Sequence, residues 1–313
     1  MKQCQAYSAP ASLCGDVRWQ GTEMGSAPLG AIAERVLSGD VPLRYYLYTP
    51  RECAPRGLVV CVHGISRNAC EHVTILWPFA ERWGLALAAP LFTDPPFHGY
   101  QRLGWAAGSA RADLALTQMV EVVARLVDVP NDDILLFGYS GGAQFVHRYT
   151  MAYPERVRAC ATTAAGWYTL PDPAAVYPYG LQLRTGSVGT HFDPRRFLCV
   201  PMLVLVGGHD TGRGVSLRTS PRLNQEQGST RIERAVRFVN AMRASACALA
   251  LEPAIKLEVL TGADHSFRRC TEQHGLGEKV FTFFSDVLEG RNEMDSPSVR
   301  IGASMSWNDF KAS

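Results

Sequence analysis

No run of about eighteen apolar residues occurs in the chain, so no membrane-spanning helix is expected and a membrane is not expected as a partner. Dense Lys/Arg stripes are also missing. With a formal net charge of only +2, nucleic acid is not an expected partner. The nine cysteines are scattered, with no C-x-x-C pair and no zinc-like grouping, so no metal site is predicted. Cys61, Cys160 and Cys199 lie in or beside apolar runs, which suits small, reduced, buried hydrophobes. No glycine-rich dinucleotide loop follows the first strand-like runs, so no cofactor is expected. The start, Met1-Lys2-Gln3-Cys4-Gln5-Ala6, has no apolar stretch of the secretory kind. Together with reduced cysteines, this predicts a cytoplasmic setting.

What is present is an unbroken alternation of strand-like and helix-like runs over 313 residues, 47% of them hydrophobic. That pattern predicts one α/β domain with a sizeable core. Residues 1–28 read as a loosely attached N-terminal arm, 29–290 as the domain and 291–313 as a polar C-terminal tail. Ala31 to Val36 and Leu43 to Tyr48 look like opening antiparallel strands. Val73, Leu76, Trp77, Ala80 and Trp83 mark a helical face, kinked by Pro78 or starting late. Leu116, Met119, Val120, Val123 and Val127 mark another, and Asp94 to Gly108 reads as a loop. Residues 171–197, rich in proline and aromatics, read as a small cap-like insertion over the active edge.

Gly138-Tyr139-Ser140-Gly141-Gly142 carries the most information. It fits Gly-x-Ser-x-Gly and follows the apolar run Asp133 to Phe137, with a helix-compatible segment after it. A serine that attacks a carbonyl must stand on a sharp strand-to-helix turn, where side chains on the flanking residues would collide. Three other apolar runs also end in polar groups. Leu58 to Val62 ends in His63-Gly64-Ile65-Ser66, Pro201 to Val206 in Gly207-Gly208-His209-Asp210, and Ile255 to Leu260 in Thr261-Gly262-Ala263-Asp264-His265. In a parallel sheet those carboxyl ends share one edge, so distant residues converge there.

A serine hydroxyl needs an imidazole to take its proton, and the imidazole needs a carboxylate to fix its tautomer. Ser140 is the expected nucleophile, His265 the base and Asp210 the acid. Asp264 is sequence-adjacent to His265 and a poor orienter; Asp172, between two prolines, is the alternative acid. The backbone N–H groups of Gly141 and Ile65 are expected to form the oxyanion hole, with Ser66 as the alternative to Ile65. His63 is read as shaping its turn, Arg67 as bracing a loop, and His209 as a bystander.

With Ser, Asp and His in that order, the chain resembles the α/β-hydrolase superfamily over about residues 30–290. Val62-His63-Gly64-Ile65-Ser66-Arg67-Asn68 further resembles the polyhydroxyalkanoate-depolymerase-like and feruloyl-esterase-like branch. The resemblance implies a mostly parallel sheet with helices on both faces and a serine hydrolase acting on a small-molecule ester through an acyl-enzyme. A peptidase, amidase or perhydrolase would use the same triad. A non-catalytic receptor or scaffold on this fold usually lacks one triad member, whereas all three are present here. Trp167, Tyr168 and the aromatics and prolines of 171–197 suggest a partly enclosed apolar pocket for short or medium acyl groups or aromatic esters.

Overall fold

The alternation within each apolar run decides the layers. Leu58, Val60 and Val62 point into one core cluster, while Val59 and Cys61 point into the other. Ile134 and Leu136 against Leu135 and Phe137, and Met202, Val204 and Val206 against Leu203 and Leu205, repeat the split. Strands apolar on both faces are those of a parallel sheet covered by helices on each side.

The computed structural model describes residues 29–105, 107–183, 191–212 and 217–290. The expected arm and tail lie outside these residues, as does 184–190 of the expected insertion. The described elements are β1 (Ile32–Leu37), β2 (Leu43–Tyr48), β3 (Leu58–Val62), α1 (Ala69–Trp83), β4 (Ala86–Leu91), α2 (Ala112–Val127), β5 (Ile134–Tyr139) and α3 (Gly141–Ala152). They continue with β6 (Val157–Thr163), α4 (Pro194–Phe197), β7 (Met202–Gly207), α5 (Pro221–Gln227), α6 (Arg231–Ala248), β8 (Ile255–Leu260), α7 (Phe267–Gln273) and α8 (Leu276–Leu288). One eight-stranded sheet runs β1-β2-β4-β3-β5-β6-β7-β8. The β1–β2 and β2–β4 pairs are antiparallel and the others parallel. Residues of α2, α3, α4 and α6 build one core cluster, and those of α1, α7 and α8 the other.

Helix α1 departs from its sequence reading. It starts at Ala69 and runs through Pro78. Its buried face is His72, Val73, Ile75, Leu76 and Ala80, so Trp77, 38% exposed, is off the core face. Pro78 is exposed too, where a missing N–H costs least because water can serve the orphaned carbonyl. Cys61 and Cys160 are buried as expected, but Cys199 is exposed. It sits in the turn after α4, ahead of β7, with its thiol on the Arg195 carbonyl. The Asp94–Gly108 stretch contains a 3-10 turn, Tyr100–Arg102, and packs inward through Phe97, Tyr100 and Leu103. Asp113, fully buried, anchors it by accepting hydrogen bonds from Trp105 Nε1, Arg111 and the Tyr153 hydroxyl.

Candidate active site

Ser140 lies between β5 and α3 with φ 55° and ψ −110°, a left-handed conformation rarely occupied by a side-chain-bearing residue. Its amide donates to the Thr163 carbonyl at 2.8 Å, and its own carbonyl accepts from Gln144 N at 3.2 Å. The turn is therefore held from both sides. Gly138 and Gly142 make it possible. A Cβ on Gly138 would stand 2.4 Å from the Gly142 carbonyl oxygen, and one on Gly142 1.9 Å from the Val62 carbonyl oxygen. Only glycine lets α3 approach the end of β3 this closely.

His265 Nε2 lies 3.1 Å from Ser140 Oγ, and His265 Nδ1 lies 2.7 Å from Asp210 Oδ2. This places a base against the nucleophile and a carboxylate behind the base, the arrangement that raises serine nucleophilicity. Asp210 is held because its turn is tied to that of His265. Gly208 N donates to the Leu260 carbonyl and His209 N to the Ala263 carbonyl. His209 is exposed and Asp264 pairs with Arg269, both outside the triad. Asp172 is also outside it, since its carboxylate caps Ala174 N at 2.8 Å. The other Asp210 oxygen accepts from buried Arg231 at 2.9 Å, a partner that no sequence spacing signals.

Ile65 N lies 3.3 Å from the position a Cβ would take on Gly141, so the amides of Ile65 and Gly141 are neighbours beside Ser140. Three bonds pin that turn. The His63 imidazole donates through Nδ1 to the Gly64 carbonyl at 2.8 Å and accepts the Phe92 amide through Nε2 at 3.0 Å. The Tyr100 hydroxyl donates to the His63 carbonyl at 3.1 Å. Burial pushes the His63 pKa down to about 4, so the ring stays neutral and can be donor and acceptor at once. Arg67, with φ 55°, reaches the Phe92 carbonyl and pairs with Asp94 at 3.2 Å, bracing the loop as read from the sequence. Tyr100 was not legible as a site residue, because it lies in a stretch without periodicity.

Of the aromatics expected in a pocket, Tyr168 is instead in the core, stacked on Phe238 at 4.2 Å. Trp167 stands at the active edge, with Tyr179 from the insertion 5.2 Å away. Trp105, Tyr177 and Phe192 pack together at 4.8–5.8 Å, joining the insertion to the 94–108 stretch. No group of three metal-binding side chains occurs among the described residues, and no helix there is long and apolar enough to cross a membrane.

Sheet order, nucleophile turn and triad define the class: a serine hydrolase of the α/β-hydrolase fold. Neither a family model nor a curated protein matches the sequence. Among solved structures, the chain is similar to poly(aspartic acid) hydrolase-1 from Sphingomonas sp. KT-1, with 23% identity and a TM-score of 0.68 over 82% of this chain and 98% of that one. It is also similar to LpqC, a poly(3-hydroxybutyrate) depolymerase from Bordetella parapertussis, at 25% identity and a TM-score of 0.66 over 84% and 91%. Est1E from Butyrivibrio proteoclasticus is more distant, at 14% identity and a TM-score of 0.52 over 82% and 99%.

Proposed function

We propose that this protein hydrolyses carboxylic esters of small, medium or aromatic acids through an acyl-enzyme, with Ser140 as nucleophile, His265 as base and Asp210 as orienting acid. The observation that carries this reading is the continuous chain Ser140 Oγ, His265, Asp210, at 3.1 and 2.7 Å. His265 Nε2 takes the hydroxyl proton as Oγ attacks the carbonyl carbon, then returns it to the departing alkoxide. Water, activated by the same nitrogen, attacks the acyl-enzyme and releases the acid. The amides of Ile65 and Gly141 are assigned to the oxyanion, with the first turn of α3 adding its positive end.

A fluorophosphonate probe should label Ser140 and lose that labelling in Ser140→Ala. The purified protein should cleave 4-nitrophenyl esters of graded acyl length faster than aminoacyl amides. Because LpqC is described as a poly(3-hydroxybutyrate) depolymerase, short 3-hydroxybutyrate oligomers belong in the panel. Labelling that persists at another serine would remove Ser140 from its role. Faster amide than ester cleavage would turn the reading toward a peptidase or amidase.

A further inference from the structure

Three arginines lie about the middle of α3 and Trp167, and none of them is ion-paired to a carboxylate among the described residues. Arg148 lies on α3, two turns beyond Ser140, and is fully buried. Its Nε donates to Thr169 Oγ1 at 2.8 Å, and its Nη1 to the carbonyls of Gln101 at 2.6 Å and Gln144 at 3.1 Å. Its Nη2 is buried and has no hydrogen-bond partner. Burial lowers the Arg148 pKa to about 10, and the charges of Arg102 and Arg218 push it the same way. Trp167 contacts two of these cations. Arg148 sits 4.4 Å from its ring centroid and exposed Arg218 5.4 Å from it. Near Arg148 the Tyr177 hydroxyl is also buried without a partner; the charges of Arg148 and Arg102 act on it, opposed by that of Asp113, a carboxylate already paired with Arg111.

A buried charge is tolerated when an opposite charge or a full set of hydrogen bonds accompanies it. Buried Arg234 at this edge has no ion-paired carboxylate among the described residues, but all three of its nitrogens are bonded, to the Gly228, Gly166 and Arg218 carbonyls and to Asn224 Oδ1. Arg231, also buried, pairs with Asp210. Arg102, Arg148 and Arg218 have no carboxylate partner among the described residues. A guanidinium kept only to brace the 101 and 169 loops would be served by the carbonyls it already holds. Two further cations nearby raise the cost of keeping it charged. The arrangement becomes favourable when an anion arrives from solution.

We propose that Arg148 and Arg218, both on Trp167, with Arg102 next to the Gln101 carbonyl that Arg148 holds, form a subsite for a carboxylate carried by the substrate. The inference rests on the ester-hydrolase reading and deepens it by naming the substrate class: esters that bear a carboxylate away from the scissile bond. Planar guanidinium groups suit a carboxylate because they can present two parallel N–H bonds to it. Arg218, at the surface, makes first contact and feels salt most strongly; Arg148 holds its charge out of water, where screening is weak.

The test is a comparison of matched esters. One pair carries the charge on the acyl side, 4-nitrophenyl hydrogen adipate against its methyl ester. The other carries it on the alcohol side, 4-carboxyphenyl butyrate against its methyl ester. In at least one pair the anionic member should show a kcat/KM on the order of threefold or more above the neutral member, shrinking as sodium chloride is added. Arg148 is packed in the core, so the discriminating variants are the outer Arg102→Gln and Arg218→Gln. In both, the anionic-to-neutral ratio should fall toward one. A ratio below about threefold in both pairs, or a ratio that neither variant changes, overturns the subsite. Adipate alone, titrated by calorimetry into wild-type protein and Arg218→Gln, gives a readout without turnover. Binding weakened in the variant supports the subsite, and no binding to wild-type protein overturns it. Failure of all four esters, with no Ser140 labelling, would count against the hydrolase reading itself, and the adipate titration would still decide the subsite.

Discussion

Asp210 has two carboxylate oxygens, and both have work to do. Oδ2 fixes the imidazole of His265, and Oδ1 takes a hydrogen bond from Arg231 with both side chains almost fully buried. Removing one member of a buried ion pair leaves the other charge uncompensated. Arg231→Met should lower stability by about 3–5 kcal/mol, read as an earlier midpoint in urea; an unchanged midpoint would mean that the pair holds nothing together. Tyr100 acts at one remove. Its hydroxyl holds the His63 carbonyl and lies close to Gly141, so it positions the Ile65 amide without being assigned to the reacting atoms. Tyr100→Phe should lower kcat by on the order of tenfold with little change in KM if that amide holds the oxyanion as proposed, since an oxyanion donor acts mainly in the transition state. A boronic acid that mimics the tetrahedral intermediate should lose affinity in parallel. A loss confined to KM would move Tyr100 to substrate binding.

The contact between β3 and α3 is the element-level device that presents the nucleophile. Gly142→Ala would drive a methyl group to within 1.9 Å of the Val62 backbone oxygen, so strand and helix would have to separate. That variant should be destabilised by roughly 3 kcal/mol or more and lose activity, while Gly39→Ala, with nothing within 4 Å, should match wild type in both. Equal thermal midpoints for the two variants would defeat the argument. Such elements are also where the sequence is most readable. Apolar runs with polar groups at their carboxyl ends foretold β3, β5, β7 and β8 and the meeting of Ser140, Asp210 and His265. Local pattern failed where tertiary contacts decide. Arg231 opens α6 and looks like any surface arginine until its guanidinium is seen against Asp210, past the end of β7. The burial of Tyr100 depends on packing against Phe92 and Phe145, far apart in sequence. Trp77 fits a helical period, but the period does not say which side of α1 meets the sheet.

For the whole molecule, pH should bear on stability through three histidines in the packed layers. His63, His72 and His147 are buried, and burial is the main cause holding each pKa below its usual value, His63 at about 4. Nearby charge acts the same way, from Arg67 on His63 and from Arg148 on His147. The folded chain therefore keeps these rings neutral over a range in which the unfolded chain, with ordinary histidine values near 6.5, takes up protons. More protons on the unfolded side means that stability rises with pH. It is fully present above about pH 6.5 and is lost as pH falls from there, for His63 until about 4, where that ring begins to charge in the fold. Each such ring contributes up to about 1.4 kcal/mol per pH unit. Carboxylates held low by arginine or tyrosine, such as Asp264 and Glu81, act in the same direction but only in the more acidic range where carboxyls titrate. The window between about pH 6.5 and pH 5 thus belongs to the histidines. Urea denaturation across it should show stability falling steeply with acid. His147→Gln, which keeps a polar side chain where the ring now joins the Ala143 carbonyl to the Thr169 amide, should make the fall shallower by about one proton's worth. A flat profile between those pH values would show that the three rings are protonated in the fold, which their one-donor, one-acceptor bonding at His63 and His147 forbids.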